Sequence, residues 1–128
     1  GGGTQVYAIT TTNTGSFGIS YGSPFGTFLG ESTEDLVEAT IDAGMTMTNF
    51  KAKCVSNDMN GATTIAWRDD NADVGTPLSI DASSTAEFSS GTVSVAITAG
   101  SQLSTKRNTS ASSGGGIHIA FLLGQVDY

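Results

Sequence analysis

The heptapeptide TVSVAIT, residues 92–98, decides the fold class because its apolar and small polar side chains alternate. Val93, Val95 and Ile97 share one side of an extended chain, and small side chains occupy the positions between them. A period of two is typical of a β-strand with one buried face. The stretch GIHIAFLLG, residues 116–124, repeats the pattern. Its apolar positions are Ile117, Ile119, Phe121 and Leu123.

The second side of residues 116–124 is also fairly apolar, since it carries His118, Ala120 and Leu122. A strand that is apolar on both sides is typical of the middle of a sheet. We therefore expect this strand to lie between two others or against a neighbouring subunit.

A change of phase marks the stretch MTMTNFKAKCV, residues 45–55. Met45 and Met47 occupy one phase of the alternation, whereas Phe50, Ala52 and Cys54 occupy the other. One extra residue in a strand produces such a shift. The sequence thus predicts a β-bulge near Thr48 or Asn49.

Turn-forming residues separate the strand patterns at regular intervals. Gly, Asn, Asp and Ser cluster in residues 42–44, 57–61, 69–75, 89–91, 99–100 and 108–116. Several short strands between such turns predict an all-β fold. We expect an antiparallel β-sandwich, jelly-roll-like, of about eight short strands.

Length and charge limit the classes of partner. The 128 residues have the length of one domain, so residues 1–128 are predicted to form a single β-sandwich domain. The formal charge is −7, and the five basic residues are scattered. Nucleic acids and anionic membranes are bound by clustered Lys and Arg, and no apolar run approaches the roughly 18 residues that span a bilayer. Neither is an expected partner.

The surface composition favours an extracellular or virion setting. Only 13% of the residues are charged, whereas Gly, Ser and Thr are abundant. Cys54 is the single cysteine, which leaves no intrachain disulfide and no paired-thiolate zinc site within this sequence. Its apolar neighbours predict a buried, unreactive thiol.

Residues 32–41, STEDLVEATI, admit a helix or a strand. A helix would begin at Ser32 as the N-cap, although Asp35 is a weaker capping-box partner than Glu or Gln. A strand would bury Val37, Ala39 and Ile41. We favour the strand.

The N-terminal residues 1–30 are rich in Gly and aromatic side chains. The partner-contact candidates in this segment are Phe17, Tyr21, Phe25 and Phe28. Their spacing is close to helical, but the interleaved glycines each cost a helix about 1 kcal/mol relative to Ala. The rings either pack in the domain's own core or belong to an arm that contacts a neighbouring subunit or a shell.

Three alternating polar residues, Asp69, Asn71 and Asp73, are weak candidates for a calcium site. An EF-hand loop requires Gly at its sixth position and Glu at its twelfth. Counted from Asp69, these positions are Val74 and Ile80. We therefore favour a polar turn between two strands and predict no metal or other cofactor.

Candidate catalytic residues are sparse, and no enzyme is predicted. His118, the only histidine, alternates with isoleucines on a strand, which is typical of a structural histidine rather than a general base. Glu34 and Glu38 could share acid–base work, but a solvated surface explains them equally well. The sequon at Asn108 is expected to lie in an exposed loop and carries meaning only where a host glycosylates.

From residue 44 onward the order of strands and turns resembles the β-sandwich surface proteins of tailed bacteriophages, such as head-decoration and head-fibre modules. The resemblance covers residues 44–123, about two-thirds of the chain; residues 1–43 fit it less clearly. Where such proteins often carry Asn-Gly at the hairpin, this chain has residues 69–73, DDNAD. The segments that carry the resemblance are AGMTMTNFKAKCVSN, GATTIAWRDDNADVGTPLSI, SSTAEFSSGTVSVAITAGSQLSTKR and GIHIAFLLG.

The resemblance implies a homotrimeric structural protein on a virion surface, bound to the major capsid protein or another virion protein, with no catalytic residues. Two alternatives stay open. One is an extracellular glycan-binding module, in which Trp67 or Tyr21 would stack on sugars; the alternation with Ile65 favours Trp67 as a core residue. The other is a filament subunit that donates its N-terminal segment as a strand.

Overall fold

The computed structural model describes residues 4–9, 18–22, 32–91, 94–109 and 114–127. They form two antiparallel β-sheets, which confirms the predicted all-β sandwich, with ten strands rather than about eight. No helix in these ranges is long and apolar enough to cross a membrane.

Each sheet contains five strands. Sheet 1 consists of β1 (Thr4–Ile9), β4 (Met45–Met59), β7 (Phe88–Ser89), β8 (Val95–Ile97) and β10 (Gly114–Asp127). Sheet 2 consists of β2 (Ile19–Gly22), β3 (Ala39–Thr40), β5 (Thr63–Asp69), β6 (Ala72–Ile80) and β9 (Gln102–Asn108).

The strand order is that of a jelly roll. Sheet 1 runs β1-β10-β4-β7, and sheet 2 runs β2-β9-β5-β6. β8 and β7 pair with successive parts of β4 and together form one interrupted edge, while β3 is a two-residue addition beside β9. Eight principal strands in two facing sheets remain, as in a jelly roll. β10 lies between β1 and β4, which confirms its predicted place inside a sheet.

The predicted bulge in β4 is confirmed. Met47 pairs with Val126 and Asn49 pairs with Gln125, so Thr48 is the extra residue between two consecutive residues of β10. The bulge moves the side chains of β4 into the second phase, in which Phe50 is buried.

The core lies between the sheets and joins them through a pair of aromatic rings. Phe50 of sheet 1 stacks on Trp67 of sheet 2, with ring centroids 4.7 Å apart and planes 7° from parallel. Cys54 is 2% exposed, which confirms its predicted burial, and this burial raises the pKa of its thiol. Other core residues are Met47, Ala52, Met59, Ile65, Leu78, Ile80, Ile97, Leu103, Ile117, Ile119 and Val126.

Residues 32–41 are neither an α-helix nor a full strand. A single 3-10 turn spans Glu34–Leu36, and its N-cap is Thr33 rather than Ser32. β3 follows as a strand of two residues. Of the side chains expected inside, Val37 is buried and Ile41 is half-buried against the core, but Ala39 is exposed. The strand prediction was therefore correct only over its last part.

The N-terminal segment contributes a strand to each sheet. β1 pairs with β10 in sheet 1, and β2 pairs with β9 in sheet 2. These parts of residues 1–30 therefore belong to the sandwich. Phe17, Phe25 and Phe28 lie outside the described residues.

Candidate functional site

The β5–β6 hairpin positions the main cluster of charged side chains. Asp69 pairs with Ala72, which leaves Asp70 and Asn71 as a two-residue loop. Both loop residues have positive φ, 49° and 68°, as a type I′ turn requires, and Asp and Asn adopt this conformation most readily after Gly. The predicted turn over residues 69–75 is thus shorter than expected, because β6 already begins at Ala72.

The hairpin loop is fastened to the neighbouring strand. The Asp70 backbone N–H donates to the Gln102 carbonyl at 2.9 Å, and the Gln102 N–H donates to Asp70 Oδ1 at 2.8 Å. This reciprocal pair holds the loop against the start of β9.

Arg68, next to the loop, is the centre of the cluster. Its Nε and Nη2 donate to the two carboxylate oxygens of Glu34 at 2.8 and 3.0 Å, its Nη1 donates to Asp73 Oδ1 at 2.8 Å, and its Nη2 donates to the Asn71 carbonyl at 2.7 Å. Four of the five guanidinium N–H groups are therefore used within the protein. The Tyr21 ring of β2 lies on the guanidinium, with its centroid 5.6 Å from Cζ.

Glu34 fastens the 3-10 turn to sheet 2. Its side chain is only 10% exposed, and Oε2 also accepts a hydrogen bond from Ser104 Oγ of β9 at 2.8 Å. The hydrogen bonds from Arg68 lower the pKa of the Glu34 carboxyl in spite of its burial. The expectation that Glu34 lies on a solvated surface was wrong, because the turn folds this side chain back onto the sheet.

Asp73 closes the cluster on the other strand of the hairpin. It accepts from Arg68 and from Lys106 Nζ of β9 at 2.7 Å. Burial alone would raise the pKa of Asp73, but the hydrogen bonds from Lys106 and Arg68 lower it on balance. We refer to Tyr21, Glu34, Arg68, Asp73 and Lys106 as the Arg68 cluster.

A second carboxylate lies at the rim of this cluster. With its amide nitrogen turned toward the acids, Asn71 donates to Glu34 Oε1 at 2.9 Å and to Glu38 Oε2 at 3.1 Å. Burial, a hydrogen bond with Asp35 and the negative charges of Asp35, Glu34 and Asp70 raise the pKa of Glu38 to about 7. This carboxyl therefore takes up a proton near neutral pH.

The weak calcium candidates are not arranged around a common point. Asp73 is the cross-strand partner of Arg68, so these two side chains lie on the same face of the sheet. Asp69 is the next residue after Arg68 and therefore points to the opposite face, the face of the buried Trp67. Asp73 already binds two cationic side chains, and Asn71 belongs to the loop. Within the described ranges, no three His, Cys, Asp or Glu side chains are grouped so that they could hold a metal ion.

The aromatic candidates have different surroundings. Trp67 is 4% exposed and stacked in the core, as its alternation with Ile65 predicted, so its ring presents no face to a sugar. Tyr21, a partner-contact candidate, is half-buried beside Arg68.

The other sequence candidates lie away from the Arg68 cluster. His118 is half-buried in β10, opposite Ser56 of β4. Asn108 is the last residue of β9, and Thr109 is fully buried, with its N–H and hydroxyl both donating to the Gly18 carbonyl at 2.9 and 3.2 Å. The expectation of an exposed loop at the sequon was wrong, because these bonds fix the chain against the segment that leads into β2.

No protein-family model and no curated protein matches this sequence.

Sequence reasoning missed the roles of Arg68, Lys106 and Ser104. The signal for Arg68 was present: a two-residue loop at Asp70 and Asn71 places Arg68 directly opposite Asp73. Lys106 and Ser104 come from a strand more than 30 residues away along the chain, and no local pattern indicates them.

Proposed function

We propose that this chain is a structural module of a virion surface, a capsid-decoration or head-fibre subunit that assembles as a homotrimer and binds neighbouring virion proteins. In this proposal the domain is rigid, and contacts between its surface and neighbouring virion proteins hold it on the particle. Its work requires no cofactor and no catalytic step.

The observation that carries the proposal is the closed bonding of the Arg68 cluster. Arg68 donates hydrogen bonds to Glu34, Asp73 and the Asn71 carbonyl, and Lys106 also donates to Asp73. The cluster thereby connects β5, β6 and β9 with the 3-10 turn. Charged groups that satisfy one another stiffen a surface and leave few donors for a ligand.

The sandwich itself supports a mechanical role. The Phe50–Trp67 stack ties the two sheets together, and the largest side chains that are less than 2% exposed among the described residues are all apolar. Jelly rolls recur in viral capsid, lectin and cupin domains, so the topology is compatible with a virion protein but does not select one function. We choose a virion surface protein among these classes because residues 44–123 resemble phage surface modules.

An apolar surface beside the cluster supplies a contact area for assembly. Leu36 of the 3-10 turn is 71% exposed and Ile19 of β2 is 46% exposed, and these two segments lie against each other. Tyr21 is on the same strand as Ile19. We propose that the threefold contact covers this surface, because large exposed apolar side chains mark interaction sites.

Light scattering tests the assembly. A homotrimer has three times the 13.0 kDa mass of the chain, about 39 kDa. We expect Leu36→Ser to shift the mass toward the monomer, while the matched control Leu36→Met, which keeps an apolar side chain, retains the trimer. A monomeric wild-type protein, or equal masses for both variants, would contradict the proposed contact.

Mass spectrometry of purified particles tests the location. Particles from a culture that produces the protein should contain the chain at a fixed ratio to the major capsid protein through successive density-gradient steps. Recovery in the particle-free supernatant alone would rule out a virion component and favour an extracellular module.

A further inference from the structure

One edge of the sandwich differs from the rest. β1 is the outermost strand of sheet 1 and pairs with β10 alone among the described strands. Its six residues pair in unbroken register, from Thr4 opposite Asp127 to Ile9 opposite Leu122. Alternate residues of an edge strand direct their N–H and C=O groups outward, so β1 offers a row of donors and acceptors.

The other edges carry features that oppose strand addition. β6, one edge of sheet 2, contains Pro77 and Gly75 in a bulge between Val74 and Leu78, and the φ of Gly75 is +72°. The far edge of sheet 1 consists of the short strands β7 and β8, of two and three residues. The second edge of sheet 2 consists of the short strands β2 and β3, of four and two residues, which both pair with β9. Proline, bulges and short strands are the usual protections of a sheet edge.

β1 has none of these protections. Its sequence, TQVYAI, lacks proline, glycine and charged residues and is rich in residues of high β-propensity. Six-residue segments of this composition pair readily with another strand when their edge is open. The contrast with β6 within one domain indicates that the edge of β1 is a place of contact.

We infer that β1 pairs antiparallel with β1 of a second copy of this chain, which joins the two copies of sheet 1 into one continuous sheet. An antiparallel contact between identical strands is related by a twofold axis and closes after two copies. The length and the hydrogen-bonding groups of the two edges then match by symmetry.

Charge favours a second copy at this edge over other parts of the surface. Each copy carries a formal charge of −7, so most contacts between two copies bring like charges together. β1 contributes no charged residue to the contact. Added salt screens the remaining repulsion, so the association should strengthen with ionic strength.

This inference goes beyond the proposed threefold assembly, and its test separates the two. Because a trimer would carry three copies of β1, this test uses the Leu36→Ser variant, in which the proposed threefold contact is removed. Light scattering over a concentration series should show its mass rising from that of one chain to that of two. Val6→Pro and Tyr7→Pro form a matched pair, because only one of these neighbouring N–H groups faces outward. The variant whose replaced N–H faces outward should keep its thermal stability, and its mass at high protein concentration should be half that of the protein without the proline. The variant whose replaced N–H bonds to β10 should lose thermal stability.

A mass of the Leu36→Ser variant that stays at one chain, or that grows past two chains without limit, would overturn the inference. So would an outward-facing proline variant that keeps both its thermal stability and its mass. Hydrogen exchange covers the case in which neither proline variant folds. The outward amides of residues 4–9 should exchange more slowly at high protein concentration, while those of β6 do not change. Equal exchange of residues 4–9 at both concentrations would also overturn the inference.

Discussion

Replacement of Arg68 by Met tests the stabilising role of the Arg68 cluster. The change removes four hydrogen bonds and leaves the Glu34 carboxylate, 10% exposed, without its cationic partner. An exposed ion pair contributes about 0–1 kcal/mol, and loss of one partner from a buried pair costs about 3–5 kcal/mol. Since the Arg68 side chain is 14% exposed, we expect a loss of about 3 kcal/mol in the free energy of unfolding. For a domain of this size the loss lowers Tm by roughly 10 °C.

Urea unfolding measures this loss, and Lys51→Met is the matched control. Lys51 is 42% exposed and its nitrogen lies 4.0 Å from Glu87, so its replacement should change the free energy of unfolding by less than about 0.5 kcal/mol. The m-value should be unchanged in both variants, because neither change alters the surface exposed on unfolding.

A double-mutant cycle with Glu34→Gln isolates the pair. In the wild-type background this change should destabilise the protein, because it weakens the bidentate contact with Arg68. In the Arg68→Met background it should be neutral or stabilising, because it removes a carboxylate that has lost its partner. If Arg68→Met costs no more than Lys51→Met, or if Glu34→Gln has the same effect in both backgrounds, the cluster is only a surface ion pair.

The pH dependence of this stability has a definite sign. Arg68 lowers the pKa of Glu34 in the folded protein below its ordinary value of 4.5. The contribution of the pair is therefore fully present above pH 4.5 and is lost as the pH falls through the folded pKa. Arg68→Met should flatten the stability profile on that acid side.

Three further changes test separate parts of the structure. Glu38→Gln should raise Tm at pH 8 but not at pH 4, because the pKa of Glu38 is raised from 4.5 to about 7 and its stabilising protonation is lost as the pH rises through that range. Asn57→Ala should cost about 2–3 kcal/mol in urea unfolding, because the amide donates to the carbonyls of Asp81 and Ser84 and its oxygen accepts from the Met59 N–H. Gly75→Ala should destabilise the protein more than Gly91→Ala. Both positions have positive φ, 72° and 75°, but among the described residues only the Cβ added at Gly75 would meet another group, Val95 Cγ2 at 2.8 Å. Equal losses of Tm for the two glycine variants would show that this contact relaxes without cost.

The period-two pattern was sufficient for the fold class but not for the segment before β3. Alternation follows from the extended backbone itself, so the burial of Ile117 and Ile119 and the bulge at Thr48 could be predicted from neighbouring residues alone. The 3-10 turn is different, because Glu34 is held by Arg68, 34 positions along the chain. A local pattern over residues 32–41 contains no trace of that partner, and both of its interpretations assumed a regular element where a tertiary ion pair shapes the chain.

The candidate site also has one part that neighbouring residues predict and one part that depends on distant contacts. A turn over residues 69–75, as predicted from the sequence, does not fix the pairing register of β5 with β6. A two-residue loop at Asp70 and Asn71 does, and it places Arg68 opposite Asp73. Half of the cluster therefore follows from correct turn chemistry, since hairpin loop length fixes cross-strand pairs. Lys106 reaches Asp73 across 33 positions of the chain, and this contact exists only because the jelly roll places β9 beside β5. The site is thus a product of topology, and strand order had to be known before its charges could be paired.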